Sequence, residues 1–333
     1  MGGAFSFPRF EELFFNQQGN TEHIFEAYKT RIEELKADGK VSTAQSLECA
    51  LKSFETYFKR KQVRFKDITA QVLNEYEDWM LNKHNNSPST IGVYMRNLRA
   101  LFNRQIAKGL LDMAHYPFGR YKYQIPTTEV RDKVISKEDL QKLYEYQPEP
   151  LSNIDKAKDL WFFLYLCNGM NVKDMCRLKY NAFKEDHFVF ARAKTEGRNK
   201  QKKEITVILN NEIRSTIEKW GNKFDGNVNA YVFPFFYEGV SPEDERRITQ
   251  NLTGVINDNM NRIARKIGLE VSISTYSARQ TFSNVLLNSD APIKLISDSL
   301  GHTNSAITEK HYLKKMTNEK LKQFNSELLN FEK

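Results

Sequence analysis

Along residues 21–109 the apolar positions recur every three or four residues, as in Ile24, Tyr28 and Ile32, or Leu47, Leu51, Phe54 and Phe58. That period gathers the apolar side chains on one stripe of an α-helix and leaves the charged positions between them to solvent. The pattern predicts four helices, roughly over residues 21–38, 43–60, 68–84 and 88–108, with Ser42, Asp67 and Ser87 as caps for the free first-turn amides. Four amphipathic helices bury their stripes against one another as a bundle. The stretch HYPFGRYKYQIPTTEVRDKV breaks the period with two prolines and a polar run, and reads as an interdomain linker centred near Pro126.

A second core begins beyond it. Ser136 opens a helix with Glu138 and Asp139 in its first turn, and residues 154–168 form a strongly apolar helix. The alternation in HFVFARA (187–193) and EITVIL (204–209), joined by a basic turn, predicts a β-hairpin. Helical periodicity then returns to the end of the chain, with residues 221–239 and a turn at 241–244 reading as loop insertions. The expected architecture is mainly α: an N-terminal segment (1–20), a helical bundle (21–125) and an α+β domain (126–333) with a small antiparallel hairpin. With 333 residues the chain is long enough for two domains, each with its own core.

Composition narrows the class. With 40% hydrophobic and 28% charged residues, disorder and a coiled-coil rod are both excluded. Cys49, Cys167 and Cys176 are too few and scattered for a disulfide framework, and no CxxC pair suggests a zinc site, so they read as buried thiols in a reducing cytosol. No segment has the uncharged length of a membrane span, and the N-terminus lacks the pattern of an export signal.

The net charge of +8 points to an acidic partner, and its distribution sharpens this. Lys59, Arg60, Lys61, Arg64 and Lys66 cluster at one helix–helix connection. Arg96, Arg99, Arg104 and Lys108 share one helix with Tyr94, Leu98, Leu101 and Phe102. A basic face opposite an apolar one suits a helix laid against a phosphate backbone, since each neutralised phosphate releases counterions. The predicted hairpin turn adds Lys194, Arg198, Lys200, Lys202 and Lys203. Each group taken alone is also what a solvated surface looks like.

The chemistry lies near the C-terminus, in STYSARQTFSNVLLNSDAPIKLISDSLGHTNSAITEKHYLKK. An Arg before Thr-Phe, a helix, a short helix ending in Leu-Gly-His, and a Tyr ten positions beyond the His resemble the catalytic domain of the tyrosine recombinase, or phage integrase, family. The resemblance implies that Arg279 is the second catalytic arginine, His302 the histidine of the Leu-Gly-His motif and Tyr312 the nucleophile. It places the catalytic lysine of the hairpin at Lys194, and it matches NGMNVKDMCRL to the family's motif around the first arginine, with Asp174 at the acidic position. Its extent implies a core-binding domain followed by a catalytic domain.

Such a set is chemically coherent. A phenol with a pKa of about 10 is a weak nucleophile at neutral pH and needs a polarised phosphate. Arg279 and His302 would donate hydrogen bonds to the charge that develops on the non-bridging oxygens, and Lys194 would protonate the leaving 5′-oxygen. The 3′-phosphotyrosine conserves the bond energy, so the implied mechanism calls for neither metal nor ATP.

The sequence also departs from the family. Asn171 stands where the first catalytic arginine is expected, Tyr276 where a histidine is, and Gln280 where a second histidine is common. One oxyanion donor is worth roughly 2.7–4 kcal/mol, so loss of the arginine calls for compensation, for which Arg177, Arg192 and Arg198 are the candidates. The departures are similar to those of recombinases from bacterial conjugative transposons and invertible DNA switches.

The resemblance implies double-stranded recombination sites as substrate, a homotetramer on two duplexes, accessory DNA-bending proteins as further partners, and a cytoplasmic, nucleoid-associated location. The tail at 318–331, with Leu321, Phe324, Leu328 and Phe331 on one stripe, has the pattern of a docking helix or of one packed on its own domain. The residues before the first helix are too few for the arm-binding domain of many integrases, which leaves a recombinase without arm sites or a shortened chain. Other readings are a DNA-binding or architectural protein that has lost cleavage, and a type IB topoisomerase.

Overall fold

The structure is a computed structural model that describes residues 22–127, 134–193, 203–289 and 291–302. It divides into two compact units, Met1–Val130 and Arg131–Lys333.

The first unit is built from α1 (Ile24–Ala37), α2 (Val41–Phe58), α3 (Ala70–His84) and α4 (Pro88–Ala107). Their apolar stripes meet in a core where Tyr28, Phe54, Tyr76, Met95 and Phe102 are fully buried. Phe54 stacks on Tyr76 at 4.3 Å between centroids, and the Tyr76 hydroxyl is hydrogen-bonded to Ser53 Oγ at 2.6 Å, which satisfies a polar atom inside an apolar layer.

Ser87 caps α4 as expected, accepting the Thr90 N–H, but the other two cap assignments are corrected. Lys40, not Ser42, precedes the first turn of α2. Thr69 caps α3, because Asp67 is occupied by hydrogen bonds from the Arg64 backbone and side chain across a short 3-10 turn. The supposed linker is also corrected at its start. Phe118 and Tyr123 are 5% and 2% exposed, Phe118 packs edge-on against Phe102, and the Tyr123 hydroxyl donates to Glu77. Its aromatic residues therefore belong to the bundle core.

The second unit contains α5 (Lys137–Glu145), α6 (Asn153–Leu166), α7 (Val172–Cys176), β1 (His187–Ala191), β2 (Glu204–Ile208), α8 (Asn211–Trp220), α9 (Pro242–Lys266), α10 (Thr275–Asn288) and α11 (Ile293–Ser299). Apolar helix α6 is the centre, burying Leu160, Trp161, Phe163 and Leu164 against α9 and α10. The hairpin forms as the alternation predicts, antiparallel with Val189 opposite Thr206, and it is the one sheet among the described residues. The turn expected at 241–244 is instead the first turn of the 25-residue α9. Ser241 accepts the Asp244 N–H and Pro242 takes the first helical position, where its missing amide costs nothing.

Among the described residues no helix is long and apolar enough to cross a membrane. Cys167 and Cys176 are buried, and burial pushes the Cys176 thiol up to about 12, but Cys49 is exposed, which corrects the reading of three buried thiols. On α2 its neighbours Ala50 and Leu47 take the buried stripe, turning position 49 outward.

Candidate active site

The centre of the site is Arg279, buried to 8% exposure on the second turn of α10. The start of α10 is held from three sides. Ser274 caps it, the Trp161 indole donates to the Ser274 carbonyl at 2.9 Å, and Asn257 of α9 accepts the Thr275 N–H at 2.7 Å. The guanidinium is aimed by two carbonyls: Nη1 donates to Gly169 at 3.0 Å and Nη2 donates to Leu300. His302 Nε2 lies 3.3 Å from the same Nη2, so Arg279 and His302 converge although 23 positions separate them.

Two glycines permit this convergence. Gly169 has φ +63, and a Cβ there would lie 2.7 Å from the Arg279 Cα, closer than van der Waals contact allows. The chain leaving α6 passes α10 only because Gly169 has no side chain. Gly301, with φ +64, would place a Cβ 2.5 Å from Ile205 Cδ1 and 2.9 Å from Arg192 Cδ, so the turn carrying His302 lies against β2 and Arg192. Gly169→Ala is expected to destabilise the second unit by about 2–4 kcal/mol, combining the left-handed penalty with overpacking. Urea unfolding measures this, and a wild-type midpoint would rule out the tight approach.

Arg192 joins the site from the end of the hairpin. Its Nη1 donates to the Leu300 carbonyl at 3.3 Å, the same oxygen that receives Arg279. Beneath them is Asp174, 5% exposed, which accepts the Ala193 N–H at 2.8 Å and the Asn171 amide at 3.4 Å. Burial pushes the Asp174 carboxyl up, against the opposing pull of the Ala193 N–H, Arg192, Asn171 and Arg279. Lys203, at the start of β2, donates to the His302 carbonyl at 2.5 Å and pairs with Asp298 at 2.8 Å. Asp298 is thereby held below the usual carboxylate range, by the Lys203 hydrogen bond first and Lys294 next.

The structure thus brings together Arg279, His302, Arg192 and, through Asp174, Asn171. Tyr276 lies on the first turn of α10, 55% exposed. Arg177 is directed elsewhere: Nε and Nη2 grip Glu245 of α9 at 3.0 and 2.6 Å, with Lys173 on the same carboxylate at 2.8 Å. Lys194, Arg198, Lys200 and Tyr312 lie outside the described residues, as does the tail at 318–331. Sequence reasoning missed Gly169, the Leu300 carbonyl and the tie from Lys203 to His302. Asn168-Gly169 is a turn dipeptide, a signal that could have marked the first.

The ion pair with Glu245 has a pH signature. Burial pushes its carboxyl up, yet the hydrogen bonds and charges of Arg177 and Lys173 outweigh that and hold it below the ordinary glutamate range. Its stabilisation is therefore complete above the unfolded value of about 4.3 and lost as pH falls through the lower folded value. Glu245→Gln is expected to flatten the acid limb of the stability profile in that window, read by circular dichroism. An identical acid limb in both proteins would remove Glu245 from the account.

In the first unit Lys59, Arg60, Lys61, Arg64, Lys66, Arg96, Arg99 and Lys108 are exposed, Arg64 being paired with Asp67. Arg104 is half-buried, and its Nη1 and Nη2 donate to the two oxygens of Glu34 at 2.5 and 2.6 Å. A guanidinium fork already filled by a carboxylate is poorly placed to take a phosphate.

Comparison with known proteins supplies the context. The phage integrase SAM-like domain matches residues 23–125, and the phage integrase family matches residues 133–319. Tyrosine recombinase XerC of Leptospira interrogans serogroup Icterohaemorrhagiae is 22% identical over 317 residues, covering 92% of this chain and 91% of that protein. XerC of Thermodesulfovibrio yellowstonii is 20% identical over 302 residues, covering 88% of this chain and 86% of its own. Among solved structures, the Tn1549 transposon integrase in complex with transposon right end DNA aligns with a TM-score of 0.63 at 15% identity, covering 92% of this chain and 99% of that one. A lambda integrase tetramer bound to a Holliday junction aligns with a TM-score of 0.57 at 15% identity, covering 92% and 84%. At such identities these two structures speak for the fold alone.

Proposed function

The chain belongs to the phage integrase family and is a tyrosine recombinase, a site-specific DNA recombinase, and from that premise we propose how its own residues cleave and rejoin a strand. Tyr312 gives its phenolic proton to water as it attacks the scissile phosphate, and it displaces the 5′-oxygen, which takes a proton from Lys194. The 3′-phosphotyrosine that results is resolved when the 5′-hydroxyl of a second strand attacks it. Arg279 and His302 hold the non-bridging oxygens as charge builds on them.

Arg192 supplies the cation that Asn171 lacks. The observation that carries this is the shared Leu300 carbonyl, which gathers the Arg192 and Arg279 guanidinium groups on one oxygen. Two like charges held together repel, and a phosphodiester between them relieves the repulsion while accepting their hydrogen bonds. Buried Asp174 steadies the pair and, through the Ala193 N–H, the backbone that leads into Lys194. Arg177, with Nε and Nη2 on Glu245, has a structural role.

The exposed cations of the first unit hold the duplex by its phosphates, and four copies act on two duplexes, a reading supported by the lambda integrase tetramer bound to a Holliday junction. With chromosomal DNA as its substrate, the protein acts in the cytoplasm on the nucleoid. The family assignment favours recombination over the architectural and topoisomerase readings. The test is covalent trapping: the full chain is incubated with a nicked duplex bearing the inverted repeats that flank its gene. A detergent-resistant protein–DNA adduct on the 3′ side is expected, and its absence from the wild type would overturn the proposal.

A further inference from the structure

The first unit ends in a loop that no part of the mechanism uses. Tyr121, at its tip, is 90% exposed, and the Arg120 guanidinium stands over the ring with its carbon 5.5 Å from the centroid. This exposure is built rather than slack. On either side Phe118 and Tyr123 are anchored in the core, and Gly119, at φ +148, makes the bend between them. The Gly119 N–H donates to the Tyr123 carbonyl at 3.1 Å, the Tyr123 N–H to the Pro117 carbonyl at 3.0 Å, and the Gln124 amide to the Arg120 carbonyl at 2.9 Å. Lys122 donates one ammonium hydrogen to the Tyr116 carbonyl at 2.5 Å and stays exposed. Arg120 and Tyr121 are exposed beside it.

We infer that the Arg120–Tyr121 pair is a preorganised contact for the sugar–phosphate backbone of duplex DNA, an inference that rests on the recombinase reading for the identity of the polymer. A flat ring seats against a deoxyribose or a base edge without regard to sequence, while the guanidinium beside it takes a phosphate. The surroundings favour this partner over a protein. Arg120 and Lys122, exposed on either side of the ring, set two cations beside a flat face, which suits a polyanion. Bracing matters because a contact already rigid in the free protein loses little conformational entropy on binding.

The test measures binding of the full chain to a short mixed-sequence duplex across a salt series. Tyr121→Ala is expected to weaken binding by about five- to fiftyfold, Tyr121→Phe to stay within about twofold, and Arg120→Ala to lower the slope of log affinity against log salt by about one. Wild-type affinity and salt slope in Tyr121→Ala would overturn the inference. So would an equal loss in Tyr121→Phe, which would assign the effect to the hydroxyl. If duplex binding were unchanged and only assembly on paired sites suffered in sedimentation, the tip would face another protomer, and the inference would fail. Adduct formation at saturating protein separates the two readings: a wild type that binds as described and forms no adduct defeats the mechanism and leaves the contact standing.

Discussion

Phenylalanine at Tyr312 is expected to abolish the covalent DNA adduct while the protein binds the same duplex with wild-type affinity. The change removes one oxygen and keeps the ring, so packing and phosphate contacts survive and only the bond-forming atom is lost. Free phenols titrate near 10, and a replacement nucleophile would have to be aligned opposite the leaving oxygen as well as activated.

The competing phenol is Tyr276, exposed on the first turn of α10, three positions before Arg279. Tyr276→Phe is expected to keep the adduct, with a rate within about tenfold of wild type, the worth of one ordinary hydrogen bond. Gel analysis of trapped complexes decides between them. An adduct that survived Tyr312→Phe and vanished in Tyr276→Phe would move the nucleophile to α10.

Alanine at Arg192 is expected to lower the single-turnover rate of adduct formation by about a hundred- to a thousandfold, the usual worth of one oxyanion donor, with little change in duplex affinity. Alanine at Arg177 is expected to leave that rate near wild type and to destabilise the second unit by about 1–3 kcal/mol. It strips the bidentate partner from Glu245, which is 8% exposed, and leaves Lys173 alone on the carboxylate. The two arginines are therefore separable, one by rate and the other by urea midpoint. Asn171→Arg in the Arg192→Ala background should recover part of the rate, because Asn171 reaches the same Asp174 that Arg192 acts on. If Arg177→Ala abolished trapping in a protein of unchanged stability, the compensating charge would belong to α7 and not to the hairpin.

Much of the fold was legible in the chain. The three-to-four residue period around Ile24, Tyr28 and Ile32, the caps at Ser87 and Ser136, and the alternation of HFVFA against EITVI are signals that act within one or two turns or across one hairpin. Such signals need no knowledge of the rest of the molecule. Where local reading failed, a second local feature competed. Ser241 and Pro242 serve a turn or a helix start equally well, and the 25 residues that follow decided for the helix. Tyr116, Phe118 and Tyr123 sit beside prolines and glycine as a linker would, yet their rings complete the bundle core.

The candidate site was legible as a set of residue types in order, and the order of Arg279, His302 and Tyr312 was enough to name the chemistry. Sequence alone left three arginines open as substitutes for the missing charge at Asn171. Tertiary structure gives two of them different partners, the Glu245 carboxylate for Arg177 and the Leu300 carbonyl for Arg192. In the same way Arg104 meets Glu34, which lies far from it in the chain and adjacent to it in the bundle. Periodicity and motif order are properties of neighbours along the chain, and the chain by itself determined them. Partner choice among charged side chains is a property of neighbours in space, and only the folded packing of the helices decided it.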